Sequence, residues 1–373
     1  MSQALWAGSA DFDANLEVGA YADTDHVAVL TPALGGTLKD AANGLAASGN
    51  YVVDIVSGAS VDIVSTASQR WTEVRHAAEL SVEHKAGNLG VSVSGGASRE
   101  PDFLSWSAGA TGRVELDERH VTPSFGYSFA RESAGRTGTP FSVYSLELAR
   151  HTAQAGVELI LSRSSRLSLL AEAVFESGRQ EKPYRFLPMF TEESASSVAP
   201  GESIADVNRL RLPGRVAERL PEARQRASVT ADWAIRMRKS TLRANERLCT
   251  DSWGLSASTT DVSWAVDLGQ HWLLTPSLRV HAQSGASFWR LAYVARFDAG
   301  ELSLPSLRSG DRELGPLLTT TLGLGAQYHT GVIPTHGWTF GAVLEGGHTR
   351  FYDALFIERR SAALVVLTAQ RGF

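Results

Sequence analysis

Residues 363–373 read ALVVLTAQRGF and end the chain. Read as an extended strand, Ala363, Val365, Leu367, Ala369 and Phe373 share one face, and Leu364, Val366, Thr368, Gln370 and Gly372 share the other. The last residues of a soluble domain are usually frayed and polar. Here the final residue is aromatic and belongs to the apolar face. An apolar face that runs to the last side chain needs an apolar surrounding, and the rest of the sequence says which one.

The same period-two alternation recurs along the chain. In DVSWAVDLG (261–269), Val262, Trp264, Val266 and Leu268 oppose Asp261, Ser263 and Asp267. In ASVTADWAIRMR (227–238), Val229, Trp233, Ile235 and Met237 oppose Asp232, Arg236 and Arg238. RLSLLAEAVFESG (166–178) and VTPSFGYSF (121–129) behave alike. The polar face carries charges in strand after strand. Compact turns such as HKAGN, DERH, SRSSR, MRKST and LGQHW alternate with longer connections. Those longer ones are SAGRTGTP, DAGELSLPSLRSGDRE and the stretch 179–222. The count is about sixteen strands, an even number that puts both termini at the short-turn end, as in outer-membrane barrels. Short helical turns are expected in LKDAANGLAAS (38–48) and NRLRLPGRVAERL (208–220).

Composition narrows the classes. The chain has 373 residues and a net charge of -5, which argues against nucleic acid as a partner. A single cysteine, Cys249, allows neither an intrachain disulfide nor a cysteine zinc site. No run of eighteen apolar residues exists, so a membrane-spanning helix is not expected. A soluble β-sandwich would also alternate, with its charged face in water. Aromatic placement favours the barrel: Trp233, Trp264, Trp289, Trp338, Tyr127, Tyr144, Tyr328 and Tyr352 fall near expected strand ends, as interfacial girdles require. The opening MSQALWAGSADFDANLEVG lacks the basic and apolar regions of a signal peptide. The expectation is therefore a protein of the bacterial outer membrane whose signal peptide has been removed from this sequence.

Five stretches are more specific than alternation: YVVDIVSGASVDIVSTASQRWTEVR, SREPDFLSWS, ERLPEARQR, TDSWGLSASTTDVSWAVDLGQHWLLTPSLRVHAQSGASFW and GDRELGPLLTTTLGLGAQY. In this order the chain resembles the bacterial family called domain of unknown function 3570, over about 15–373. The resemblance implies an exported outer-membrane-type β protein and carries no activity with it. The terminal Phe373 resembles the final-strand signal read by barrel-assembly machinery, and departs from it at Arg371, where an apolar residue is usual.

These readings give a single barrel domain over 1–373. Residues 1–14 form a periplasmic N-terminal segment, and about 179–222 a long loop, external or folded into the lumen. The closing strand is expected to pair near NLEVGAYAD (15–23), because an open sheet edge cannot face lipid. The lumen or constriction candidates are Asp54, Asp62, Glu172, Glu176, Arg224, Arg226, Asp232, Arg236, Arg279 and His281. Arg224 is the one expected to project across the mouth. Charge in a dry interior must be paired, so a network is expected. No H-E-x-x-H, G-x-S-x-G or P-loop is present. A rim-sited enzyme would need a pair such as His281 with Asp232. No enzyme activity, metal or cofactor is expected. The expected partners are the lipid bilayer, the barrel-assembly machinery and, in a plugged form, a surface or periplasmic protein. The leading functional expectation is a passive pore for small polar solutes. The alternative is a plugged barrel that serves as a binding or scaffold protein.

Overall fold

The computed structural model describes residues 10–58, 71–298, 301–331 and 337–373. Sixteen antiparallel strands close on themselves as a barrel. They are β1 (Ala10–Asp23), β2 (Val27–Asp40), β3 (Leu45–Gly58), β4 (Trp71–Ala86), β5 (Leu89–Arg99), β6 (Phe103–Val114), β7 (Val121–Ala134) and β8 (Leu146–Ser162). Then come β9 (Ser165–Gly178), β10 (Ala223–Met237), β11 (Ser240–Asp251), β12 (Ser256–Leu268), β13 (Trp272–Gln283), β14 (Leu317–His329), β15 (Trp338–Phe351) and β16 (Arg359–Gly372). Each strand pairs with its sequence neighbours, and β16 pairs with β1, so every edge is used. Within the described residues no helix is long and apolar enough to cross a membrane.

Closure falls where the alternation puts it. Leu16 faces Ala369, Val18 faces Leu367 and Ala20 faces Val365. The Phe373 N–H donates to the Phe12 carbonyl at 2.8 Å, and the two rings stack with centroids 6.0 Å apart. Arg371 departs from the usual apolar residue because its guanidinium lies over the rings of Trp338 (5.3 Å) and Phe373 (4.7 Å). A long cation can sit in an aromatic belt in this way, its stem on the apolar surface.

The outward face is apolar and exposed, with Leu16, Leu34, Leu80, Val93, Leu322, Leu344 and Leu367 each at least 48% accessible. So much apolar exposure on sixteen strands is the lipid-facing band of a barrel. Aromatic residues flank it. Trp233, Trp264, Trp272, Tyr328, Trp338 and Phe340 lie toward the short-turn end, and Trp106, Tyr127, Phe129 and Phe175 toward the other. Three expected girdle residues belong elsewhere. Trp289 is buried in loop packing, and Tyr144 and Tyr352 lie in connections. One carboxylate shares the outward face of β11: Glu246, which accepts from Ser258 Oγ (2.7 Å) and Thr260 Oγ1 (2.5 Å).

Three local expectations change. LKDAANGLAAS forms the β2–β3 hairpin, not a helix, because Gly44 takes φ +64° and passes so close to the Lys85 carbonyl that a Cβ would sit 2.2 Å from it. The second helix lies earlier than expected, at Ile204–Leu210, capped by Ser203 and stopped before Pro213. β1 begins at Ala10, so residues 10–14 are strand rather than a periplasmic segment. The five compact turns read from the sequence all gather at one end, with both ends of the described chain. The long connections leave the other end.

Candidate functional site

Inside a barrel the polar parity must be reconciled with a confined space. The wall from β7 to β13 does this with arginine–carboxylate ladders. Glu176, nearly buried, accepts from Arg150 (2.9 Å) and Arg226 (2.7 Å), and Arg150 reaches on to Glu132 (3.0 Å). Four neighbouring strands thus carry one chain of alternating charge. Arg247 spans β10 to reach Glu172 at 3.1 Å. Asp232 holds Arg243 (2.7 Å) with Arg166 nearby (3.8 Å). Arg236 pairs with Asp267, and Arg279 lies 3.7 Å from Asp261. Guanidinium groups suit such ladders because their fixed fork serves two acceptors while the charge stays hydrated along the lumen.

Six of the candidates predicted from sequence, Glu172, Glu176, Arg226, Asp232, Arg236 and Arg279, therefore lie in separate ion pairs along this wall, and the other four lie elsewhere. Arg224 does not project across the mouth: it is held at the wall by Asp251 (2.8 Å) and stacks over Trp253 (4.2 Å). His281 is not joined to Asp232; its ring meets Thr259 Oγ1 (2.7 Å) and Gln283 (3.3 Å). Asp54 sits apart on β3, accepting from Thr31 Oγ1 (2.7 Å) and facing Arg75 (3.3 Å). Asp62 lies outside the described residues. Cys249 lines the same chamber as Glu172, Arg226 and His281, a cavity of about 540 Å3. A second chamber of about 400 Å3 continues past Asp232, Arg243 and Glu345.

The chamber is roofed. Two excursions, 179–222 between β9 and β10 and 284–316 between β13 and β14, fold together into a cap. Their backbones join in a parallel pair, Met189 to Tyr293 and Phe190 to Val294, and in reciprocal 2.9 Å bonds between Arg219 and Arg308. The first excursion also carries α1 (Glu192–Ala195) and α2 (Ile204–Leu210). Three apolar clusters form inside the cap. One joins Leu220, Trp253, Ala286, Trp289 and Leu314; a second joins Leu187, Met189, Tyr293 and Ala295; a third joins Phe190, Val198 and Val207. Among the described residues most buried apolar side chains are therefore in the loops, because the strands present theirs on the outward face. The cap is tied to the β15–β16 connection by Trp289 Nε1 donating to the Asp353 carbonyl (2.9 Å) and Gly201 N–H to that of Ala354 (2.8 Å).

A string of charges crosses the mouth. Arg185, from the β9–β10 excursion, binds Asp311 at 2.6 Å. The next residue, Arg312, binds Asp25 in the β1–β2 turn, and both are buried. Glu313 then meets Arg360 of β16 at 3.2 Å. The β9–β10 and β1–β2 junctions are eight strands apart on a ring of sixteen, so the string joins loops rooted on opposite sides of the ring. Beside it Glu218, fully enclosed, accepts from Ser309 Oγ (2.5 Å) and the Lys182 N–H (3.2 Å), and burial pushes its carboxyl above the usual range. At the outer ends of β4–β6, Glu73, Glu100 and Asp102 bring three carboxylates together, and burial pushes Glu100 upward. Sequence reading missed Asp25, Arg185, Asp311 and Arg312. The available signal was RFLPMF (185–190), too apolar for a solvated loop.

A family model described as "Protein of unknown function (DUF3570)" matches residues 150–345, just over half of the chain. The chain belongs to the DUF3570 family. No curated protein matches it. Among solved structures, this DUF3570 protein is similar to the siderophore receptor PirA from Pseudomonas aeruginosa, at 11% identity and TM-score 0.44, covering 97% of this chain and 61% of the receptor. A ferric enterobactin receptor, PfeA, matches at 14% identity and TM-score 0.43, over 91% of this chain and 54% of that one. A bacterial polysaccharide outer membrane secretin matches at 11% identity and TM-score 0.48, over 98% and 99%. The chain thus spans little more than half the length of the receptors it resembles. The DUF3570 chain is a closed antiparallel barrel of sixteen strands.

Proposed function

We propose that this protein is a capped barrel of the Gram-negative outer membrane. It acts as a binding and conduit protein rather than an enzyme, and its outer mouth is closed to free diffusion until the cap moves. The observation that carries the reading is the buried string Arg185–Asp311–Arg312–Asp25, which ties loops from opposite sides of the ring over a charge-lined lumen. Membrane placement is supported by the apolar outward band between two aromatic belts; in this reading the long loops lie outside and the termini in the periplasm. In this reading Phe373, at the closing seam, serves as the signal for the assembly machinery. The paired lumen charges suit small polar solutes once the mouth is open.

Planar-bilayer conductance tests this. The whole protein should give rare or small openings. Deleting residues 194–216, which removes α2 and with it Val198 and Val207 of the third apolar cluster, should turn these into sustained currents. If the whole protein already conducts steadily and the deletion changes its conductance by less than about twofold, the barrel is an open pore of the sixteen-strand kind and the cap does not close it.

A further inference from the structure

We propose that the cap carries a binding groove for an anionic small molecule with an apolar body. The inference deepens the capped-barrel reading and takes from it only that the groove faces the outside. The groove, about 610 Å3, opens between two limbs of the second excursion, residues 287–296 and 303–307. That volume is in the range of small-molecule sites. Phe288, Tyr293, Val294, Leu304, Pro305 and Leu307 supply apolar wall, while Arg290 and Arg296 supply charge. Among the described residues no carboxylate lines it. In a chain with 40 acidic residues and a net charge of -5, a groove with two guanidinium groups and no acid repels cations and attracts anions. A bare inorganic anion would leave the apolar wall unused, and a neutral apolar molecule would leave the arginines unused. A ligand with both features uses both.

The floor is rigid. Tyr293 is buried; its hydroxyl donates to the Phe288 carbonyl at 3.0 Å and accepts from the Ser309 N–H at 3.1 Å. Arg290 donates through Nη1 to the carbonyls of Ser287 (3.0 Å) and Trp289 (2.6 Å), which fixes the plane of its guanidinium. A preset plane lowers the ordering cost of binding a carboxylate or phosphate through two parallel N–H bonds. Behind this floor, Arg290 and Tyr293 also line a narrow crevice with Arg185, Arg312 and Phe356. An anion entering the groove thus approaches the arginines that hold Asp311 and Asp25 across the mouth. The groove and the closure share a wall, and occupancy of one bears on the other.

The test uses the full chain in lipid nanodiscs, with empty nanodiscs as the baseline for uptake by lipid. The probes are 2-naphthoate, its neutral isostere 2-naphthylmethanol, and inorganic sulfate, followed by calorimetry and saturation-transfer NMR. Naphthoate should bind about tenfold more tightly than either of the others. Arg296→Gln should weaken it by about fivefold or more, and Arg296→Lys, which keeps the charge but loses the planar fork, should fall between the parent and Arg296→Gln. Equal binding of the acid and the alcohol, or indifference to Arg296→Gln in a variant that keeps its heat-shifted gel band, would overturn the groove. Conductance of the same preparations separates the two readings. A closed barrel that ignores naphthoate defeats the groove alone, and a freely conducting barrel that binds it defeats the closed cap alone.

Discussion

Lysine placed at Leu367 or at Thr368 differs by one residue in sequence and by a whole environment in space. Leu367 points outward, 55% accessible, between Val18 and Ala342 on the neighbouring strands. A strand rises about 3.3 Å per residue, and at a tilt of about 40° that becomes about 2.5 Å along the membrane normal. Six residues separate Leu367 from Phe373, so the side chain lies about 15 Å above the belt that holds Phe373, close to the middle of an apolar band roughly 25 Å tall. A lysine at that depth costs about 2–4 kcal/mol. Thr368 points inward, directly opposite Glu17 on β1. There a lysine stays hydrated and gains an opposite charge across the strands, a contribution of about 0–1 kcal/mol in its favour. The assay is denaturant unfolding in liposomes, followed by the heat-shifted gel band. Leu367→Lys should lose about 2–4 kcal/mol, while Thr368→Lys stays within about 1 kcal/mol of the parent. Equal losses at the two positions, or a larger one at Thr368, would mean that the parity is inverted or that the outward face does not meet lipid.

Arg312→Ala removes the guanidinium that Asp25 binds in its buried ion pair. A loss of about 3 kcal/mol would raise the open fraction of the cap roughly a hundredfold, read as bilayer current, and Arg312→Ala with Asp25→Asn together should cost less than the two single changes added. Glu218 gives a pH dependence whose sign follows from burial. Its folded pKa is raised, so its contribution to cap stability is fully present below the unfolded carboxyl pKa and is lost as pH rises through the folded value. Proteolysis of the cap should therefore quicken between acid and neutral pH, and Glu218→Gln should flatten that trend; a cap better protected at neutral pH would contradict it. Deleting Phe373 removes a backbone pair and a ring stack at the closing seam, so cells should hold less assembled barrel with unchanged synthesis, as measured by the unboiled gel band.

The sequence alone determined the wall. Alternation in a strand is a local property: each residue's parity follows from its neighbours, so Leu367 outward, Thr368 inward and the sixteen-strand count were legible without any contact. The seam at Asn15–Asp23 followed because an unpaired edge is untenable in lipid. The outward Glu246 was not read from the sequence, and nothing local showed that Ser258 and Thr260 would hold its carboxylate. The wall charges were legible as residues but not as pairs. Whether Arg247 meets Glu172 across an intervening strand depends on the stagger between strands, which closure of the whole ring sets. The cap was beyond the sequence for a stronger reason. Its periodicity is broken, and its apolar residues Phe190, Trp253 and Trp289 become buried only when segments that are distant in the chain meet. Asp25 and Arg312 lie at opposite ends of the chain, and only the closing of the barrel brings the first turn beside the last loops. The wall is therefore written in near-neighbour chemistry, and the roof in long-range contacts that exist only once the wall has formed.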